Sequence, residues 1–408
     1  MGASQTAYDR TQLDDDFFQD PHAIVRLLRG GGPVRPVTLP RGLAVWLVTG
    51  YADAKTLLAD PSLSKDARKR PALFAAPLTV EGSEPTPFSE MLAAHMLNTD
   101  PPDHTRLRKL VNKAFTARTV ASLRPRIEQI AADLLDDMAG STEVDLLTAY
   151  AFPLPITVIC ELLGVPAADR ESFRAWSTMV IAPTSADAAG QASQQMAGYL
   201  SELVARKREE PADDLLSGLV HVTDAGDQLS EPELISMAFL LLVAGHETTV
   251  NLIGNGLLAL LRNPEQLAAL RADPGLLPNA VEEFLRYDGP VNLATLRFTT
   301  EPVQVGDVEI PADEFVLISL HGANRDSERF DDPDRLDITR QTAGHLAFGH
   351  GIHYCVGAPL ARLEGEIAIS RLLERFPDLR LATEPEQLRW RQSTLVRALE
   401  TLPLALRP

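Results

Sequence analysis

Phe348-Gly349-His350-Gly351-Ile352-His353-Tyr354-Cys355-Val356-Gly357 places a single cysteine in a loop loosened by glycines, directly before a helical pattern. The apolar residues that follow, through Leu360, Leu363, Ile367, Ile369 and Leu372, predict an amphipathic helix from about Val356. A sulfur placed there faces the unpaired N–H groups and the positive dipole end of that helix. Both favour thiolate, the form that binds metal. Gly349 and Gly351 permit backbone angles that bring the loop against a flat ligand, and Phe348 can pack on it. A free cysteine taken alone is most often a small buried hydrophobe. The residues around Cys355 argue otherwise.

Phe-Gly-x-Gly-x-His-x-Cys-x-Gly before a helix resembles the haem-binding signature of the cytochrome P-450 family, in which a cysteine thiolate is the proximal iron ligand. The resemblance implies haem b as cofactor and Cys355 as its metal ligand. It also implies His353 as partner of a haem propionate, with Phe348, Gly357 and Ala244 against the haem.

The whole chain has the composition of a soluble globular protein, with 408 residues, 45% hydrophobic and 23% charged. A net charge of −18 argues against nucleic acid or an anionic membrane as main partner. Two cysteines make no disulfide framework and suit a reducing cytoplasm, and Cys160 lies in an apolar helical run that reads as core. The polar N-terminus shows no leader, and no apolar run approaches the ~20 residues that span a bilayer. A cytoplasmic protein without membrane partner is expected.

Upstream of the Cys loop, 21–28 and 51–59 read as helices and 44–48 as a strand. Residues 68–96 are broken by prolines and read as a mobile lid over a pocket or as disorder. Asp100-Pro101-Pro102 then signals a helix start. His104 and Arg108, four apart, share a helix face and offer two cationic donors to a carboxylate, although such pairs are also common on solvated surfaces. In the resembled family this pair grips a haem propionate. No acidic residue occurs from His104 to Ile127, where Arg106, Arg108, Lys109, Lys113, Arg118, Arg124 and Arg126 all fall. By resemblance this basic stretch is where an acidic ferredoxin docks; otherwise it is an ordinary basic surface.

A long helix starts at Ser230-Glu231-Pro232-Glu233, where a capping box and an early proline coincide, and Asn263-Pro264 stops it. Residues 238–244 are apolar on all sides, as in a helix through a protein centre. Gly245-His246-Glu247-Thr248-Thr249 interrupt them, at a cost unless satisfied or functional. Thr248 can back-bond to the Ala244 carbonyl and bend the helix. Ala-Gly-x-Glu-Thr-Thr also resembles the oxygen-activation motif of haem-thiolate monooxygenases, which implies Thr248 and Glu247 in proton delivery. His246-Glu247 is no zinc-protease motif, because Val250 stands where its second histidine belongs.

Glu283 and Arg286 can pair on one helix face, a contact worth little at a surface. Glu-x-x-Arg is also a family hallmark, which implies a structural network reaching 324–335. After Pro290 the period turns to strands at 296–299, 303–308 and 314–319. Arg297 resembles the strand arginine that holds a propionate. Residues 388–402 read as a β-hairpin whose tip, 393–396, enters the pocket by resemblance. Family position assigns the pocket lining to Leu240, Val243, Ala244, Val291, Leu293, Ala294, Leu395 and Val396, all aliphatic, which suits a bulky apolar substrate.

The expectation is therefore one domain over 1–408, mainly α with small β-sheets, with haem between the long central helix and the helix after the Cys loop. The resemblance implies a monooxygenase that uses O2 to hydroxylate or epoxidise a macrolide or macrolactone of secondary metabolism. A sterol or secosteroid hydroxylase of the same family is the alternative. A haem-thiolate sensor or carrier is the rival from another class, with no use for Glu247 and Thr248. No flavin or nicotinamide module is visible, so electrons come from a ferredoxin and its reductase. A monomer is expected.

Overall fold

Glu231–Arg262 forms one helix of 32 residues. At its start the Glu233 carboxylate accepts from the Ser230 N–H at 2.8 Å and the Ser230 hydroxyl at 2.9 Å. Pro232 occupies the first turn, where a missing N–H costs no bond. The helix is apolar all round because Pro153–Leu162, Ala186–Glu209, Leu277–Asp288 and Ala358–Arg375 pack on it. It is long and apolar enough to cross a membrane, a length of apolar chain that the sequence disguises with Glu247, Asn251 and Asn255. Here protein covers 72% of its most apolar stretch.

The computed structural model describes residues 9–407 apart from 41, 75–91, 93, 182–185 and 225. Most of the segment read as lid or disorder lies outside the described residues. Its ends are short helical turns at Ala67–Lys69 and Met96–Asn98. The helices read at 21–28 and 51–59 span Pro21–Arg29 and Tyr51–Leu58.

A six-stranded mixed sheet runs Thr11–Gln12, Val34–Thr38, Ala44–Val48, Phe315–Ile318, Arg297–Thr299, Leu63–Ser64. Its register sets Trp46 opposite Val316, and Val316 opposite Arg297. The strand signal at 303–308 overruns a turn. Gly306 takes φ 57°, so Val303–Val305 ends before it and Val308–Ile310 is the returning strand. The hairpin expected over 388–402 is not a strand pair. Trp390 and Leu399 form an isolated bridge, and the tip pairs elsewhere: Val396 bridges Val291, and Asn292 N–H donates to the Leu395 carbonyl at 2.8 Å.

Glu283 and Arg286 are fully buried rather than at the surface. The guanidinium donates to both Glu283 oxygens at 2.7 and 2.8 Å. It also reaches the carbonyls of Asn324 at 3.0 Å, Pro333 at 2.8 Å and Arg335 at 3.3 Å. Glu283 accepts in turn from the Asp337 N–H at 2.9 Å and from Arg340 at 3.2 Å. This knot ties the helix Leu277–Asp288 to the irregular chain that leads to the Cys loop.

Candidate active site

The helix after Cys355 begins at Ala358, slightly later than its pattern predicts, with Gly357 as N-cap. The Cys355 N–H donates to the Phe348 carbonyl at 2.9 Å and closes the loop. Gly349 and Gly351 take φ of 73° and 74°, the left-handed region. A Cβ on Gly351 would stand 2.9 Å from the Ala59 Cα, so the loop needs glycine there. Cys160 is buried in the core, whereas Cys355 is exposed. The protein around Cys355 desolvates its thiol and raises its pKa. The backbone N–H groups of Gly357 and Ala358 and the charges of Arg108 and Arg362 act in the opposite sense. Arg362 stacks over the Phe348 ring at 4.6 Å.

Beside the loop lies a buried cluster of basic groups. His104 and His353 meet edge to face, with ring centroids 4.4 Å apart. Desolvation drives His353 down to about 2, assisted by Lys65, His104, Arg297 and Arg108. Arg297 is 4% exposed, and burial pushes it down to about 10. Lys65 is held well below its usual range by burial and by Arg297, and its ammonium donates to the Thr295 hydroxyl at 2.6 Å. Burial and then Lys65 push His95 down to about 4. Asp100 answers them, yet it already accepts from Ser64, from Lys69 at 2.7 Å and from the Lys65 N–H at 3.2 Å. Both ring nitrogens of His104 and Nδ1 of His95 have no partner among the described residues. Cations crowded this way favour a ligand that brings carboxylates. The sequence carries no cue for Lys65 or His95, which lie in segments without a motif.

On the central helix, Ala244 is exposed and Val243 and Thr248 are half-buried, amid neighbours that are buried. The Thr248 hydroxyl donates to the Ala244 carbonyl at 2.8 Å, and Thr249 to that of Gly245 at 3.2 Å. Glu247 is 6% exposed and accepts from Arg391 at 2.8 Å. His246 is structural: its Nδ1 donates to the Leu242 carbonyl at 2.9 Å, and Ser177 lies 3.2 Å from its Nε2. This helix touches the one that follows Cys355, where the buried Glu364 carboxyl meets Thr249 and burial pushes it up to about 8.

Of the aliphatic positions assigned to the pocket, Leu395 is 40% exposed, and Val243, Val291 and Val396 are half-buried. Leu240 and Ala294 are buried, and Leu293 packs in the core with Phe298 and Phe315. A separate cleft of about 350 Å³ borders the Cys loop, lined by Lys55, Glu282, His345, His350, Tyr354 and Arg362 among others. It shares no lining residue with the central helix.

The basic stretch after His104 is largely neutralised. Arg106 pairs with Glu233 and Asp227, and Lys109 and Lys113 share Asp224 at 2.5 and 2.6 Å. Arg126 pairs with Glu161 at 2.7 Å, and Arg124 lies 3.6 Å from Glu128 and Glu366. Arg118 is exposed and has no ion-pair partner among the described residues.

The thiol-bearing loop, the basic cluster and the interrupted central helix fit the haem-thiolate site that the sequence resemblance implies. The family model Cytochrome P-450 matches residues 168–396. Cytochrome P-450 107B1 of Saccharopolyspora erythraea is 58% identical over 97% of both chains. Vitamin D(3) 25-hydroxylase of Pseudonocardia autotrophica is 51% identical, covering 96% of this chain and 95% of that one. The tirandamycin C-bound monooxygenase TamI superposes with a TM-score of 0.87 at 51% identity, covering 97% of this chain and 100% of that one. More distant relatives include a polyketide biosynthesis cytochrome and a mycinamicin IV hydroxylase/epoxidase. The chain belongs to the cytochrome P-450 family. It is a monooxygenase with the mainly α fold of that family, which implies a haem-iron cofactor and electrons supplied by redox partners.

Proposed function

We propose that this monooxygenase hydroxylates or epoxidises a bulky, largely apolar polyketide or macrolide, with haem b held by Cys355. The carrying observation is the cluster of basic groups with unpartnered ring nitrogens beside an exposed cysteine, because it suits a ligand that brings carboxylates next to that sulfur. In this reading Cys355 Sγ ligates the iron. Lys65, His104, Arg108, Arg297 and His353 hold the propionates, and Phe348, Gly357 and Ala244 line the ring. Thiolate-ligated haem supplies the activation of O2 and the insertion of one oxygen atom.

The protein's own share is positioning, exclusion of water and movement of protons. The Thr248 hydroxyl, now donating to the Ala244 carbonyl, turns its proton toward the pocket. The Glu247 carboxylate resupplies that hydroxyl from solvent. Val243, Val291, Leu395 and Val396 hold apolar substrate at the half-buried stripe, while Leu240, Leu293 and Ala294 back them. Electrons come from a ferredoxin and its reductase, with Arg118, which has no ion-pair partner among the described residues, as one cation of the docking surface. The chain acts as one cytoplasmic domain and a monomer, without nucleic acid or membrane.

A secosteroid is the second reading, favoured by the vitamin D(3) 25-hydroxylase at 51% identity. A haem absorbance titration against macrolides, macrolactones, sterols and secosteroids tests both. A low-to-high-spin shift and turnover with a macrolide class are expected. A shift with secosteroids alone would move the substrate to the second reading, and ligand binding without turnover under supplied electrons would favour a sensor or carrier.

A further inference from the structure

Glu247 is engaged by a residue far away in sequence. Arg391 Nη1 lies 2.8 Å from Glu247 Oε1, with the carboxylate side chain 7% exposed and the guanidinium side chain 35% exposed. Asn251 approaches the same oxygen at 3.4 Å, and its shorter bond goes to the Glu247 carbonyl at 2.7 Å. The other guanidinium donors of Arg391 make no hydrogen bond among the described residues. A guanidinium offers several donors in a fixed fork, so one bond to Glu247 leaves capacity for a second acceptor.

The backbone fixes where that capacity is offered. Arg391 N–H donates to the Ala398 carbonyl at 2.8 Å, and its own carbonyl accepts from Ser393 N–H at 2.9 Å. Its side chain thus springs from the base of the loop that carries exposed Leu395 and the Val291–Val396 bridge. Glu247 lies on the helical stripe of Val243, Ala244 and Thr248. Arg391 therefore ties the loop of Leu395 and Val396 to the acid on the central helix, with Asn251 beside the same carboxylate oxygen.

We propose that Arg391 is a specificity residue that binds an anionic or carbonyl oxygen of the substrate, and that this oxygen competes with Glu247 for the guanidinium. The proposal rests on the proposed pocket and deepens it: the substrate is apolar in bulk but presents an oxygen acceptor, not a cationic amine, toward the central helix. Engaging that oxygen loosens Arg391 from Glu247. The carboxylate oxygen can then take up and pass on a proton only when substrate is in place. Arg391 is a positioning residue in that second role, because it acts on the proton through Glu247.

Calorimetry on the haem-loaded protein tests this apart from turnover, with decanoate, decanol and decyltrimethylammonium as matched probes. Decanoate is expected to bind about tenfold tighter than the ammonium, the equivalent of one charge-assisted contact. Arg391→Leu should erase that preference and Arg391→Lys restore part of it. Glu247→Gln, which removes the competitor, should raise decanoate affinity above wild type. An unchanged ratio in Arg391→Leu, no gain in Glu247→Gln, or no decanoate binding in wild type would each overturn the proposal. Turnover of a macrolide beside any of those results would leave the proposed function standing.

Discussion

The ring of His353 meets that of His104 edge-on at 4.4 Å, and neither nitrogen of His104 has a partner among the described residues. Burial first, and then Lys65, His104, Arg297 and Arg108, disfavour a charge on His353, and a ligand that brings carboxylates would answer the neighbouring cations. Lys65→Met should therefore speed haem loss by about tenfold, the worth of one charge-assisted contact. Haem transfer to excess apomyoglobin measures it. An unchanged transfer rate would remove Lys65 from the propionate site.

Thr248→Ala removes the hydroxyl that donates to the Ala244 carbonyl but leaves the apolar wall. Substrate-induced spin shifts should persist, while supplied electrons are diverted to hydrogen peroxide. The ratio of peroxide to product reports the change, and full coupling in the variant would exclude the proton role.

Arg286→Leu strands the Glu283 carboxylate in the interior with Arg340 as its remaining cation. A loss of about 3–5 kcal/mol is expected, the usual cost of breaking a buried pair by removing one partner. Urea unfolding midpoints check it. Arg286→Lys should rescue little, since one ammonium cannot reach Glu283 and the carbonyls of Asn324, Pro333 and Arg335 together.

Charge reversal separates docking from stability. Arg118→Glu should slow reduction by an acidic ferredoxin, most strongly at low salt, without shifting the melting temperature. Arg106→Glu should instead lower stability, because Arg106 is already spent on Glu233 and Asp227. Stopped-flow reduction and thermal melts distinguish the two.

His321 is buried, and burial holds it down to about 4; His22, stacked on it at 5.0 Å, is lowered as well. Unfolded histidine titrates near 6.5, so the unfolded chain takes up the proton first as pH falls. Stability from these two groups is complete above about pH 6.5 and declines toward pH 4, by up to about 3 kcal/mol for His321. Denaturant midpoints across that range should fall less steeply in His321→Gln.

The central helix is legible in the sequence because chemistry marks both ends, Ser230 with Glu233 at one and Asn263-Pro264 at the other. The Cys loop is legible because its glycines and cysteine lie in one short window. Spacing shows that Glu283 and Arg286 can pair, but not that they are buried, since their burial comes from chain that folds over them. The basic stretch misleads for the converse reason. Charge counted along the chain is not charge in space, and Asp224, Asp227 and Glu233 arrive from elsewhere to cancel it. Lys65, His95 and Arg391 acquire their surroundings only when separate segments converge, so no local pattern announces them.

The bridge between Val291 and Val396 has an evolutionary consequence. It joins two stretches of chain into one wall, and neither residue belongs to the basic cluster or to the Cys loop. In the pocket we propose, ligand preference can therefore be rewritten there, one aliphatic side chain at a time, without touching the Cys loop or the basic cluster. A lineage built this way diversifies its chemistry by changing what it admits.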